Sequence, residues 1–230
     1  APTMSAMMTG IKTNDGVISI APTVPHGEPA RDTVAAAAQP TLLELAEGAG
    51  LATGVVSTAR LTHATPAACY AHTSARDWEA DSDRPADATV PDIAAQLIDR
   101  FGSGGIGDGL EVALGGGREK FLPARTRDPE DRGEHGVRRD GRDLTREWRR
   151  KFAGSFVHDR AGACDFAVMN RVRRRLSRLA GIFPDGHEAA LRHNQRVRPG
   201  KADDRKPAFA QRRRDGGNGV VEHTGRLQVE

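Results

Sequence analysis

Up to about residue 125 the chain alternates helix-patterned and strand-patterned segments, an order that restricts it to an α/β fold with a mainly parallel sheet. The stretch from Pro40 to Thr58 shows the pattern. Thr41 can cap a helix carrying Leu42, Leu43, Leu45 and Ala46, Gly48 and Gly50 can end it, and residues 52–57 suit a buried strand. Pro66 fits the first turn of a second helix capped by Ala64 or Thr65, which puts residues 62–65 just beyond a strand's carboxyl end. Ligands of open α/β sheets bind at that edge. A third helix is predicted from Pro91 through Ile93, Leu97, Ile98 and Phe101, then a glycine-rich turn and a strand over residues 111–114. Gly115, Gly116 and Gly117 read as a loop, residues 126–143 as a polar surface insertion, and Asp143 as the cap of a helix with Leu144, Trp148 and Phe152. Beyond about residue 190 no period is sustained.

Charge divides the chain. The net charge of +3 conceals a first part, residues 1–136, with 11 Lys/Arg against 19 Asp/Glu, and a second, 137–230, with 23 against 12. Such a split implies an acidic domain with a basic partner-binding tail, or a second part of different origin. No apolar run approaches the roughly 20 residues a spanning helix needs, and no basic stretch leads into an apolar one as in a signal peptide. The first residue is Ala rather than Met, so the beginning of the gene product is expected to be missing or removed. Cys69 and Cys164 form no metal or redox spacing, and their pairing stays open.

Two motifs carry less than their letters promise. Residues 102–107 read GSGGIG and fit the dinucleotide fingerprint, but they follow a helix and precede a strand, the reverse of what the fingerprint requires, so a plain turn is expected. Arg171, Arg173, Arg174, Arg175 and Arg178 could contact phosphate backbones, yet aromatic residues are only 4% of the chain and none lies among these arginines to stack on bases. A solvated face or a shifted reading frame accounts for the run.

Residues 56–68 read VSTARLTHATPAA and are followed by Ala71-His72-Thr73 and Arg76-Asp77-Trp78-Glu79. This stretch resembles the alkaline phosphatases, whose segment of the form VSTxxLxxATPAA precedes an Ala-His pair and an Arg. Residues 1–16, 114–118 and 140–145 resemble further blocks of that family, in the same order. The resemblance implies a partial α/β/α sandwich over residues 1–150, a weakly matching continuation over 151–190, and a divergent, irregular tail over 191–230.

By that resemblance the family reaction is metal-dependent hydrolysis of phosphate monoesters through a phosphoserine, with two zinc ions and a magnesium as cofactors. Thr65 falls at a threonine that ligates magnesium, His63 at a position beside that metal and its waters, and Arg76 at the catalytic, substrate-binding arginine whose fork grips phosphoryl oxygens. Taken singly, the three residues would be a helix cap, a structural histidine and a surface charge. The family's nucleophilic Ser, with its preceding Asp, would lie before Ala1, and its Asp and His zinc ligands have no clear counterpart here. Gly181-Ile182-Phe183 with His187, and Glu222-His223-Thr224-Gly225, resemble later family segments only loosely, so His223 is not assigned to zinc. The chain is therefore expected to be an inactive fragment of a periplasmic or secreted, commonly homodimeric phosphatase, with no membrane partner and no role for nucleic acid. The alternative is a non-catalytic protein whose basic second half binds nucleic acid or another polyanion.

Overall fold

A computed structural model of the chain describes residues 1–102, 104–130 and 133–159, and the backbone of residues 179–183. The expectations placed on residues 164, 171–178, 187 and 191–230 lie outside the described residues.

The first helices are α1 (Pro2–Thr9), α2 (Arg31–Ala36) and α3 (Leu42–Gly48). Thr41 starts α3 with a reciprocal cap: its hydroxyl accepts from the Glu44 N–H at 3.1 Å, and the Glu44 carboxylate accepts from the Thr41 N–H at 2.9 Å. Strand β1 (Gly54–Arg60) follows, then the single turn α4 (Ala64–Ala67) and helix α5 (Ile93–Asp99). His63, rather than Ala64 or Thr65, occupies the N-cap of α4, and its side chain makes no capping bond. Asp92 caps α5 by accepting from the Ala95 N–H at 2.9 Å.

Strand β2 (Val112–Gly116) leads into helix α6 (Leu144–Phe152), capped by Asp143 as expected, and strands β3 (Ser155–Val157) and β4 (Leu179–Phe183). All pairings are parallel, in the order β1-β2-β4-β3. The parallel sheet with its helices bears out the α/β class. Within the described residues, α3, α4, α5 and α6 contribute to one core with Val55 and Ala113, while Val56 is 71% exposed.

Two further expectations are corrected. Gly115 and Gly116 belong to β2 rather than to a loop, because Gly115 answers a packing demand: a Cβ there would stand 2.8 Å from the Leu61 Cγ. Gly117, with φ of +82°, makes the turn. The polar segment 126–143 is not merely a surface insertion. It is fastened by two fully buried arginines, Arg118 to Asp128 and Glu130, and Arg138 to Asp92 and Asp140. The glycine-rich segment after α5 is a turn, with the Ile106 N–H donating to the Arg100 carbonyl at 2.8 Å.

Candidate functional site

The site grows from the carboxyl end of β1. The Leu61 N–H still donates to the Gly116 carbonyl at 3.0 Å, holding β1 beside β2, and the His63 N–H then donates to the Arg60 carbonyl at 3.0 Å. That turn sends residues 60–63 over the sheet edge and into α4, where Thr65 is exposed on the first turn. Arg76 arrives from the segment after α4, its backbone N–H donating to the Gly16 carbonyl at 2.7 Å.

His63 and Arg76 meet side to side, with Arg76 Nη2 lying 3.3 Å from His63 Nε2. A guanidinium only donates, so Nε2 must present its lone pair, and the imidazole proton sits on Nδ1. Burial first, then the charges of Arg60 and Arg76, hold the His63 pKa below the ordinary histidine value, which keeps the ring neutral. Nδ1 is buried and meets no partner among the described residues. Arg76 is partly exposed, and its carboxylate contact, Asp77 at 3.8 Å, is largely exposed and weakly held. Of the three residues expected at the site, His63 and Arg76 are brought together, and Thr65 stands two residues along the same turn.

The local motif left a second tier unread. Glu79 receives two hydrogen bonds from Arg60, Nε to Oε2 at 2.9 Å and Nη2 to Oε1 at 2.6 Å, and a third from the buried Thr62 hydroxyl. Burial alone would raise the Glu79 pKa, but these bonds and the charge of Arg60 hold it below the usual glutamate value. At nearby Glu119, burial outweighs the charges of Lys120 and Arg60 and pushes the pKa up. No local sequence signal announces the clamp: its partners stand 19 residues apart, and the burial of Trp78 and Ala80 on either side of Glu79, which makes the carboxylate need a cation, is a property of the fold.

Neither metal fits the described residues by themselves. Magnesium takes hard oxygen donors, and Thr65 offers one hydroxyl; zinc takes imidazole, thiolate and carboxylate, and the His63 Nε2 faces Arg76. Among the described residues no group of three or more His, Cys, Asp or Glu side chains converges to hold an ion. Cys69 forms no disulfide among the described residues and is half-buried, and burial pushes its thiol up to about 11, so it is no ready thiolate ligand.

The chain and its fold are similar to known proteins. A family model described as alkaline phosphatase matches residues 1–216, beyond the residue 150 at which the clear motif blocks end. The tissue-nonspecific alkaline phosphatase of Gallus gallus is 37% identical over 154 residues, covering 64% of this chain and 28% of its own. The human tissue-nonspecific isozyme is 33% identical over 155 residues, with 65% and 28% covered. The solved alkaline phosphatase from the Antarctic bacterium TAB5 aligns with a TM-score of 0.50 at 22% identity over 80% of this chain and 38% of that one, a likeness that bears on fold alone. The chain thus spans under a third of the length of these two curated relatives.

Proposed function

The chain belongs to the alkaline phosphatase family, and from that premise we propose that its described part carries one portion of a site for phosphate monoesters, with Arg76 gripping the phosphoryl oxygens. The contact between Arg76 and His63 at 3.3 Å carries this reading. The neutral ring occupies one N–H of the guanidinium and fixes its plane, while the part of Arg76 open to solvent keeps donors for an oxyanion. Two parallel hydrogen bonds from that fork would strengthen as charge builds on the transferring phosphoryl group. A lysine would offer a point charge without the fork.

Glu79 serves the same end indirectly. By neutralising Arg60 it keeps a second guanidinium from competing for the anion, and through Arg60 and Thr62 it fixes the turn that presents His63. Thr65 and His63 are the positions for the magnesium side of the family site, and zinc belongs to the same expectation. Such metals would activate the nucleophile and screen the leaving oxygen when bound. The described residues alone do not complete those sites, and the proposal is that the chain by itself holds phosphate without turning monoesters over. A periplasmic or secreted location and a homodimeric assembly belong to this proposal as well. No helix among the described residues is long and apolar enough to cross a membrane.

Assay of the purified chain with a chromogenic phosphate monoester, magnesium and zinc at alkaline pH tests the reading. The expected rate equals that of the Arg76→Ala variant. Metal-dependent turnover that disappears in Arg76→Ala would contradict the inactive reading while supporting the role of Arg76.

A further inference from the structure

The basic excess of the second part of the chain is largely consumed inside the fold where the structure describes it. Arg138 is buried between Asp92 and Asp140, Arg142 bridges Asp99 and Glu147, Arg146 pairs with Asp143 at 3.1 Å, and the Lys151 ammonium donates to the Ile98 carbonyl at 2.8 Å. Arg149 and Arg150 are different. Both are exposed in the last turn of α6, and neither meets a carboxylate among the described residues.

With Arg146, which is 83% exposed, these two arginines line an open hollow whose remaining wall is Ala153 and Gly154. Positions separated by three and four residues share one helix face, so Arg149 and Arg150 both neighbour Arg146. Ala153 ends the helix at φ of +50°, and its small side chain with the bare Gly154 leaves the hollow unblocked. The negative end of the helix dipole favours cations in this turn but does not neutralise two full charges. The carboxylates closest along the helix, Asp143 and Glu147, are already engaged by Arg146 and Arg142.

We propose that this hollow is a binding site for a linear inorganic polyphosphate. Guanidinium forks match phosphate oxygens, and their spacing along one face suits successive anions of a chain better than a single ion. Among the described residues no aromatic side chain lines the hollow to stack on a base, so what they read is phosphate alone. The site lies on α6, is built without Arg76, and stands independently of the phosphomonoester reading.

The test is equilibrium binding of the full chain to fluorescently labelled linear polyphosphate across a salt series. Wild type is expected to bind with affinity that falls as salt rises, and the Arg149→Ala/Arg150→Ala double variant to bind roughly tenfold or more weakly with a shallower salt slope. An Arg31→Ala/Arg125→Ala double variant, which removes the same charge from exposed positions elsewhere, should retain wild-type binding. Absence of binding by wild type, or equal weakening in both double variants, overturns the site. Binding of duplex DNA as tight as that of polyphosphate at equal phosphate concentration overturns the choice of ligand. Circular dichroism of both variants guards against loss of fold, and an unfolded alanine pair is replaced by Arg149→Gln/Arg150→Gln, to which the same outcomes apply.

Discussion

Arg60 and Glu79 hold each other through two side-by-side hydrogen bonds of 2.9 and 2.6 Å, and the turn that presents His63 to Arg76 is anchored by that clamp. The strand end, the turn and the segment after α4 are thereby tied at one point. Residue 60 is the last of β1 and residue 79 lies beyond Arg76, so both sides of the candidate site are held together.

Acid should loosen this clamp. The Glu79 pKa is held below its usual value, so its stabilisation is full above about pH 4.5 and is lost as pH falls through the lowered folded value. Since the Arg60 side chain is 41% exposed, the contribution is discounted to about 1 kcal/mol. Thermal melts between pH 7 and pH 3 should show Glu79→Gln destabilised at neutral pH and converging with wild type in acid. Parallel curves would show that the clamp contributes nothing.

A deeper carboxylate predicts a larger effect. Burial disfavours the charge of Glu44, yet the hydrogen bond from His72, the Thr41 N–H and the nearby Arg100 hold its pKa at about 2. The stability linked to it is present above pH 4.5 and is lost between there and about pH 2, an amount on the order of 3 kcal/mol. Urea unfolding of Glu44→Gln at pH 7 should show a loss of that order. A loss under about 1 kcal/mol would mean that the buried cluster is not ionised as described.

Arg138 has no exposed surface in its side chain and is shared by Asp92 and Asp140. Arg138→Ala should cost about 3–5 kcal/mol, because two carboxylates lose their cation. Denaturant midpoints of the variant measure this, and an unchanged midpoint would place residues 126–143 outside the cooperative fold.

The difference between Asp143 and Arg138 marks how far the sequence could be read. Caps at Thr41 and Asp143 were legible because donor and acceptor lie within three residues. Arg138 was not, since Asp92 is 46 residues away and nothing local announces the pair. Gly115 was misread for the same kind of reason: what demands glycine there is Leu61, across the sheet edge. In the site, the motif led to His63, Thr65 and Arg76, whereas the Arg60–Glu79 clamp became visible only when the chain was folded.

Gly115→Ala should therefore destabilise by about 1–3 kcal/mol through overpacking against Leu61. Gly48→Ala, at the end of α3 with nothing within 4 Å of a new Cβ, should be neutral or slightly stabilising. Equal melting temperatures for the two variants would remove the packing argument for β2.

Phosphate binding by Arg76 is the claim on which the functional reading depends most directly. Titration of the purified chain with inorganic phosphate, followed by phosphorus NMR, should reveal weak, saturable binding. Arg76→Ala should lose it, Arg76→Lys should weaken it by roughly tenfold through loss of the fork, and the exposed Arg125→Ala should leave it unchanged. Equal phosphate binding by wild type and Arg76→Ala, or none by wild type, would contradict the assignment of Arg76 as the phosphate-gripping residue.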